Sequence, residues 1–229
     1  MYDFKIGDLV LYNDNQLLAL NKPPTIPVQK DPSGDKSLLD LAEIYSKRRV
    51  HLVHRLDRPS SGITLMAKTR KALVSLNEQF KSRKIDKKYL AVVGNEPPQE
   101  EDTLIHYLYR PSRRNRAEVS EEEQADSKKS ELHYRLIGKS DHYYLLEIGL
   151  ITGRHHQIRA QLAHIGCPIK GDVKYGFRRG NRDRSIHLHA WKLGFLHPVS
   201  EEQKEITAPL PPDPLWSFFG EQLEDKSQI

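Results

Sequence analysis

The chain has 229 residues, with 36 Lys plus Arg against 31 Asp plus Glu, 37% hydrophobic residues and a single cysteine. One cysteine excludes an intramolecular disulfide framework and suits a reducing cytoplasm, and no apolar run approaches the roughly 20 residues needed to cross a bilayer. The net charge of +5 permits a nucleic-acid partner without demonstrating one.

The first residues, Met1-Tyr2-Asp3-Phe4-Lys5, lack a basic region followed by an apolar run, so no signal peptide is expected. Leu9–Tyr12 and Leu17–Leu20 predict two strands joined by the turn Asn13-Asp14-Asn15. Lys22-Pro23-Pro24-Thr25-Ile26-Pro27 is too rich in proline for a central strand or a helix and reads as a rigid extended loop. Ser37 is a candidate N-cap for a short helix over Leu38–Tyr45. Ile63–Ala67 predicts a strand, and Leu73, Leu76 and Phe80 give a helical seam over Arg70–Lys84. Lys88–Gly94 reads as a strand ended by glycine.

Residues 96–130 are poor in apolar side chains, with four arginines inside Arg110–Arg116 followed by Glu121-Glu122-Glu123. That composition predicts an exposed, partly mobile insertion whose basic half could touch phosphates. Leu132–Ile137 and Tyr143–Leu150 predict a strand pair. Ile158, Leu162 and Ile165 fit a helix over Arg154–Ile165, stopped by Gly166-Cys167-Pro168. Ile186–Trp191 and Leu193–Leu196 read as strands, and the polar residues 220–229 as a fraying tail.

The stretch His54-Arg55-Leu56-Asp57-Arg58-Pro59-Ser60-Ser61-Gly62 holds one carboxylate, Asp57, between two arginines. Flanking guanidiniums favour the charged carboxylate, which suits a nucleophile or base better than a general acid. Taken alone, such a string is an ordinary surface ion pair at a turn. Other chemistries find less support. No His-Glu-x-x-His or Cys–His cluster points to a metal. No Gly-x-Ser-x-Gly elbow is present, and neither dinucleotide nor phosphate-loop glycine patterns occur. A carboxylate among arginines, with aromatic residues and basic loops, suits an anionic, base-bearing polymer.

At this point the sequence resembles a known family. His54–Gly62 is similar to the catalytic motif of RluA-type RNA pseudouridine synthases. Asn21-Lys22-Pro23, Lys88-Tyr89-Leu90-Ala91-Val92-Val93-Gly94, Thr152-Gly153-Arg154-His155-His156-Gln157-Ile158-Arg159, Gly166–Asp172 with Tyr175-Gly176, and Leu188-His189-Ala190 resemble further blocks in the family's order. One departure stands out: the family's Gln-Ile-Arg-x-His ends here in Gln161.

The resemblance implies an α+β fold, a mixed, mainly antiparallel sheet with flanking helices and a central active-site cleft. It implies one catalytic domain over 1–229, with the charged insertion at 96–130, the polar tail at 220–229 and no S4-type RNA-binding domain. The implied reaction is isomerisation of uridine to pseudouridine in ribosomal or transfer RNA by a monomeric enzyme without metal or nucleotide cofactor. A non-catalytic RNA-binding protein on the same fold is the alternative. Asp57 matches the catalytic aspartate and Tyr89 the active-site tyrosine. Arg159, or else Arg154, matches the guanidinium that pairs with Asp57; five residues apart on one helix, they cannot both face it unless the helix starts after Arg154. Arg55 resembles the arginine that enters the RNA stack when the base leaves it. His54, Gln157, Ile158 and Leu188 are implied beside the substrate, and Arg113 and Arg114 are candidate phosphate contacts.

Overall fold

The structure, a computed structural model, describes residues 4–111 and 115–226. In chain order the strands and helices are β1 (Val10–Asn13), β2 (Leu17–Lys22), α1 (Leu38–Ser46), β3 (His51–Leu52), β4 (Ser61–Ala67), α2 (Arg70–Lys81), β5 (Asp86–Val93) and β6 (Glu101–Tyr109). They continue with β7 (Glu118–Ser120), β8 (Lys128–Lys139), β9 (Tyr144–Leu150), α3 (Gln157–His164), β10 (Leu188–Leu196), β11 (Gln203–Thr207) and α4 (Pro214–Lys226). The described residues form two compact units. The first runs to Lys87 and includes Ala190–Pro209; the second holds Lys88–His189 and the residues from Leu210 onward.

In the first unit the strands run in the order β1-β2-β4-β10, with β3 added to β4 and β11 to β10. β2 and β4 pair antiparallel from Leu17 opposite Ala67 to Lys22 opposite Gly62. Both read as nearly unbroken buried runs because each face is covered. Leu17, Ala19, Ile63 and Leu65 pack with Ala72 and Leu76 of α2. The alternate residues Leu18, Leu20 and Met66 pack with Leu38 and Ala42 of α1. α1 starts where its cap predicts: Ser37 Oγ accepts from the Asp40 amide at 3.2 Å, and Asp40 Oδ2 accepts from the Ser37 amide at 3.0 Å. α2 ends at Lys81 rather than Lys84, because Arg83 turns to φ 58°.

The second unit is an antiparallel sheet in the order β5-β9-β8-β6-β7. Its core gathers Leu104, Leu132, Tyr134, Leu146 and Ile148 from the sheet under Ile158 and Leu162 of α3. The exposed insertion expected at 96–130 is corrected here, since most of it is sheet: β6, β7 and the start of β8. Leu104, His106 and Leu108 alternate inward along β6, and Ala117 is buried before β7. The period-2 signal was hidden because its central inward residue is a histidine. The polar tail is also corrected, as 220–226 continue α4, which buries Trp216 and Phe219; residues 227–229 lie outside the described residues. The two strands expected at Ile186–Trp191 and Leu193–Leu196 are a single strand, β10, which begins at Leu188. The architecture is α+β, as the resemblance implied.

Candidate active site

Asp57 lies in the loop between β3 and β4, partly exposed. Its carbonyl accepts from the Ser60 amide at 3.2 Å and from Ser60 Oγ at 2.8 Å, which closes the Pro-Ser turn after it. The next carbonyl, of Arg58, accepts from the Thr25 amide at 2.7 Å and from Lys22 Nζ at 3.1 Å. Lys22 is fully buried and also donates to the carbonyls of Pro23 at 2.9 Å and Ile26 at 3.1 Å. Burial pulls its ammonium down to about 7; the Asp57 carboxylate opposes the fall and the Arg58 guanidinium adds to it. The proline-rich loop and the Asp57 loop are therefore one hydrogen-bonded body.

The picture of Asp57 between two guanidiniums changes. Arg58 turns to the loop 31–35, where it bonds the Thr25 carbonyl, Asp31, Ser33 and Asp35. Arg55 is exposed. His54 points into the unit: its Nε2 accepts the Leu65 amide at 2.9 Å and its ring stacks on Phe80 at 5.2 Å. Gly62 lies at φ +110°, and a Cβ there would meet the Ala190 carbonyl oxygen at 2.3 Å. Only glycine lets β4 approach β10 so closely.

In the second unit, α3 starts at Gln157 behind the left-handed His156, three residues later than its apolar spacing suggests. Arg154 thus lies outside the helix and exposed, whereas Arg159 is on it and 4% exposed. Arg159 makes a two-point ion pair with the buried Asp172, Nε to Oδ2 at 2.6 Å and Nη2 to Oδ1 at 2.9 Å. Its guanidinium lies 5.0 Å from the centre of the Tyr175 ring. Tyr175 hydroxyl accepts the Ala117 amide at 2.8 Å and lies 2.9 Å from His156 Nδ1. Asp172 and Tyr175 therefore set where Arg159 can point, a role that the sequence left unassigned.

Gln157 is also inward. Its Oε1 accepts from Thr152 Oγ1 at 2.8 Å and from the Arg154 amide at 3.0 Å, and its Nε2 donates to the Glu131 carbonyl at 3.1 Å. This fixes the Thr-Gly-Arg turn to β8. Ile158 and Leu188 belong to one buried cluster, against which the half-buried Tyr89 of β5 packs. Arg113 and Arg114 lie outside the described residues. Gln161, where the family motif has histidine, is buried and donates to the Leu104 carbonyl at 3.2 Å and to His106 Nδ1 at 3.0 Å.

His106, Glu121 and His164 of this unit bring ligand-type atoms within 4.8 Å of one another. The Gln161 donation leaves the neutral His106 with its proton on Nε2, on the side of Glu121. His164 Nε2 is already 2.6 Å from Glu121 Oε1. Glu121 is thus hydrogen-bonded to His164, and Gln161 occupies the Nδ1 lone pair of the neutral His106, which presents no lone pair to a cation.

The family model described as RNA pseudouridylate synthase matches residues 16–164. The chain is 35% identical over 214 residues to the "Ribosomal large subunit pseudouridine synthase C" of Buchnera aphidicola, covering 89% of this chain and 67% of that protein. It is 35% identical over 229 residues to the protein of the same name from Vibrio vulnificus, covering 96% and 68%. It thus spans about two thirds of the length of these relatives. Among solved structures, it resembles "Human RNA Pseudouridylate Synthase Domain Containing 1" at 26% identity and a TM-score of 0.74, covering 90% of this chain and 85% of that one. "Human RNA Pseudouridylate Synthase Domain Containing 4", at 24% identity and a TM-score of 0.74, shares the fold. The motifs around Asp57, Tyr89 and Arg159 thus lie in a chain that belongs to the RNA pseudouridylate synthase family, isomerases that act on RNA.

Proposed function

We propose that the chain converts uridine to pseudouridine in ribosomal large-subunit RNA, with Asp57 as the nucleophile. The observation that carries this reading is the build of the Asp57 loop. The carbonyls of Asp57 and of Arg58 after it are held by four hydrogen bonds, while residue Asp57 stays partly exposed. A nucleophile must be fixed in place and reachable at once. The rRNA assignment draws on the names of the bacterial relatives.

The remaining roles follow the chemistry of each side chain. Arg159, anchored on one edge by Asp172, supplies the guanidinium that pairs with the Asp57 carboxylate. Tyr89 offers a ring face and a hydroxyl to the uracil. Arg55 fills the gap in the RNA stack once the uridine is extruded, because the reacting carbon is out of reach inside a stack. Arg154 contacts the phosphate backbone. The enzyme acts as a monomer in the cytoplasm and needs no nucleotide cofactor; no helix among the described residues is long and apolar enough to cross a membrane.

The test is pseudouridine mapping of total RNA from a deletion strain that carries either the wild-type gene or Asp57→Asn. The expected result is one or more large-subunit rRNA positions restored by the wild type and absent with the variant. Restoration by Asp57→Asn removes the nucleophile assignment; positions restored only in transfer RNA remove the substrate assignment.

A further inference from the structure

The residue after the proposed nucleophile is held more tightly than its exposure suggests. Arg58 Nε donates to the Thr25 carbonyl at 2.8 Å, and the Thr25 amide donates back to the Arg58 carbonyl at 2.7 Å. Beyond this reciprocal lock, Nη1 reaches Asp31 Oδ2 at 2.9 Å and Ser33 Oγ at 2.7 Å, and Nη2 reaches Asp35. Hydrogen bonds to the guanidinium hold the Asp35 carboxyl below its ordinary range and contribute to the same fall at Asp31, where Ser33 does most.

Two observations say that this arrangement serves position rather than bulk stability. The Arg58, Asp31 and Asp35 side chains are 38%, 30% and 48% exposed, and ion pairs that wet contribute little to folding. Thr25 is held at φ +70°, a left-handed conformation that β-branched residues avoid. Backbone strain kept next to a reactive group marks a place where geometry is over-determined. Here the strained residue is the one whose amide and carbonyl both engage Arg58.

We propose that Arg58 is a positioning residue, and that the segment 25–35 with its two carboxylates is the clamp that fixes the orientation of the Asp57 carboxylate. Arg58 does not touch the substrate in this scheme. Its guanidinium ties the peptide following Asp57 to the strained Thr25, and Asp31, Ser33 and Asp35 tie the guanidinium. The inference deepens the function proposed above and rests on it for the identity of the reacting group.

The test uses the full chain and the variants Arg58→Ala, Arg58→Lys and Asp31→Asn/Asp35→Asn, all assayed below their unfolding transitions. Single-turnover pseudouridine formation is measured on a large-subunit rRNA transcript, RNA affinity by filter binding, and amide hydrogen exchange at Thr25 and Ser60. A misplacement of about 1 Å can cost on the order of 100-fold in rate. The expected rate losses are therefore about 30-fold for Arg58→Ala and about tenfold for the double Asn variant, with Arg58→Lys between wild type and Arg58→Ala. Affinity stays within about threefold, and both amides exchange faster in Arg58→Ala. An Arg58→Ala rate within about twofold of wild type overturns the clamp, as does a rate loss matched by an equal loss of affinity, which makes Arg58 an RNA contact. If the wild type itself leaves the transcript unmodified, the substrate reading fails and exchange alone decides. Faster exchange at Thr25 and Ser60 then supports the clamp, and unchanged exchange overturns it.

Discussion

Arg159 and Asp172 form a buried two-point ion pair, with both side chains almost fully out of solvent, 4% and 1% exposed. The pair joins α3 to the turn that follows Lys170-Gly171 and holds one edge of the guanidinium, while the Tyr175 ring lies against it. A guanidinium has five donors in a rigid fork, so fixing one edge with a carboxylate determines where the others point.

Asp172→Ala is therefore expected to be costly. Removing one partner of a buried pair leaves the other charge uncompensated, a loss of about 3–5 kcal/mol. Asp172→Asn retains one acceptor and loses less. Urea unfolding of the three proteins should rank them wild type, Asn, Ala. The Asn variant, if folded at the assay temperature, should also lose turnover, since Arg159 is freed to rotate.

Gly62→Ala tests the close approach of β4 and β10. The added methyl would overlap the Ala190 backbone, with its carbonyl oxygen 2.3 Å and its amide nitrogen 2.5 Å away, at a φ of +110° that alanine avoids. Both neighbours are backbone and cannot rotate aside. The expected loss is at least about 3 kcal/mol, read as a fall in the urea midpoint with an unchanged slope, or as insoluble protein.

Much of this molecule is legible locally. The α1 boundary follows from Ser37 and Asp40, which cap each other three residues apart. β2 and β4 announce themselves as apolar runs. What escapes the sequence is long-range pairing. Nothing local says that Arg58 chooses Asp31 and Asp35, 27 and 23 residues earlier, over the adjacent Asp57. Nothing local says that Arg159 chooses Asp172. The start of α3 is hidden too, because His156 adopts a left-handed conformation at φ 53° that its residue type does not signal. α4 is hard to read locally because Leu215-Trp216-Ser217-Phe218-Phe219 mixes buried Trp216 and Phe219 with the exposed Phe218, which blurs the helical seam.

His54 makes the fold acid-sensitive. Burial, helped by the nearby Lys87 charge, pushes its imidazole down to about 4, from about 6.5 in an unfolded chain. Between those values the unfolded state binds a proton that the folded state refuses. The His54 contribution is thus fully present above pH 6.5, and stability falls as pH drops from 6.5 towards 4, by up to a few kcal/mol. His54→Gln should flatten that part of the stability profile, measured by urea unfolding at half-unit pH steps. An equally steep fall in the variant would assign the acid sensitivity to other groups.

Lys22 should be more important to the Asp57 loop than to the fold as a whole. Its three ammonium protons match three carbonyls, of Pro23, Ile26 and Arg58. Lys22→Met keeps the length and the apolar stem but leaves the Pro23 and Ile26 carbonyls without this donor, at about 1–3 kcal/mol for a buried unsatisfied group. Removing a buried cation returns part of that cost, since burial disfavours the charge. The net fall in stability should therefore be small. The turnover should drop further than stability does, because the Arg58 carbonyl, one residue from Asp57, loses one of its two anchors and keeps only the Thr25 amide. Unfolding free energy and single-turnover rate, measured on the same preparation, separate the two effects. A large stability loss with an unchanged rate in the folded fraction would make Lys22 a plain core residue.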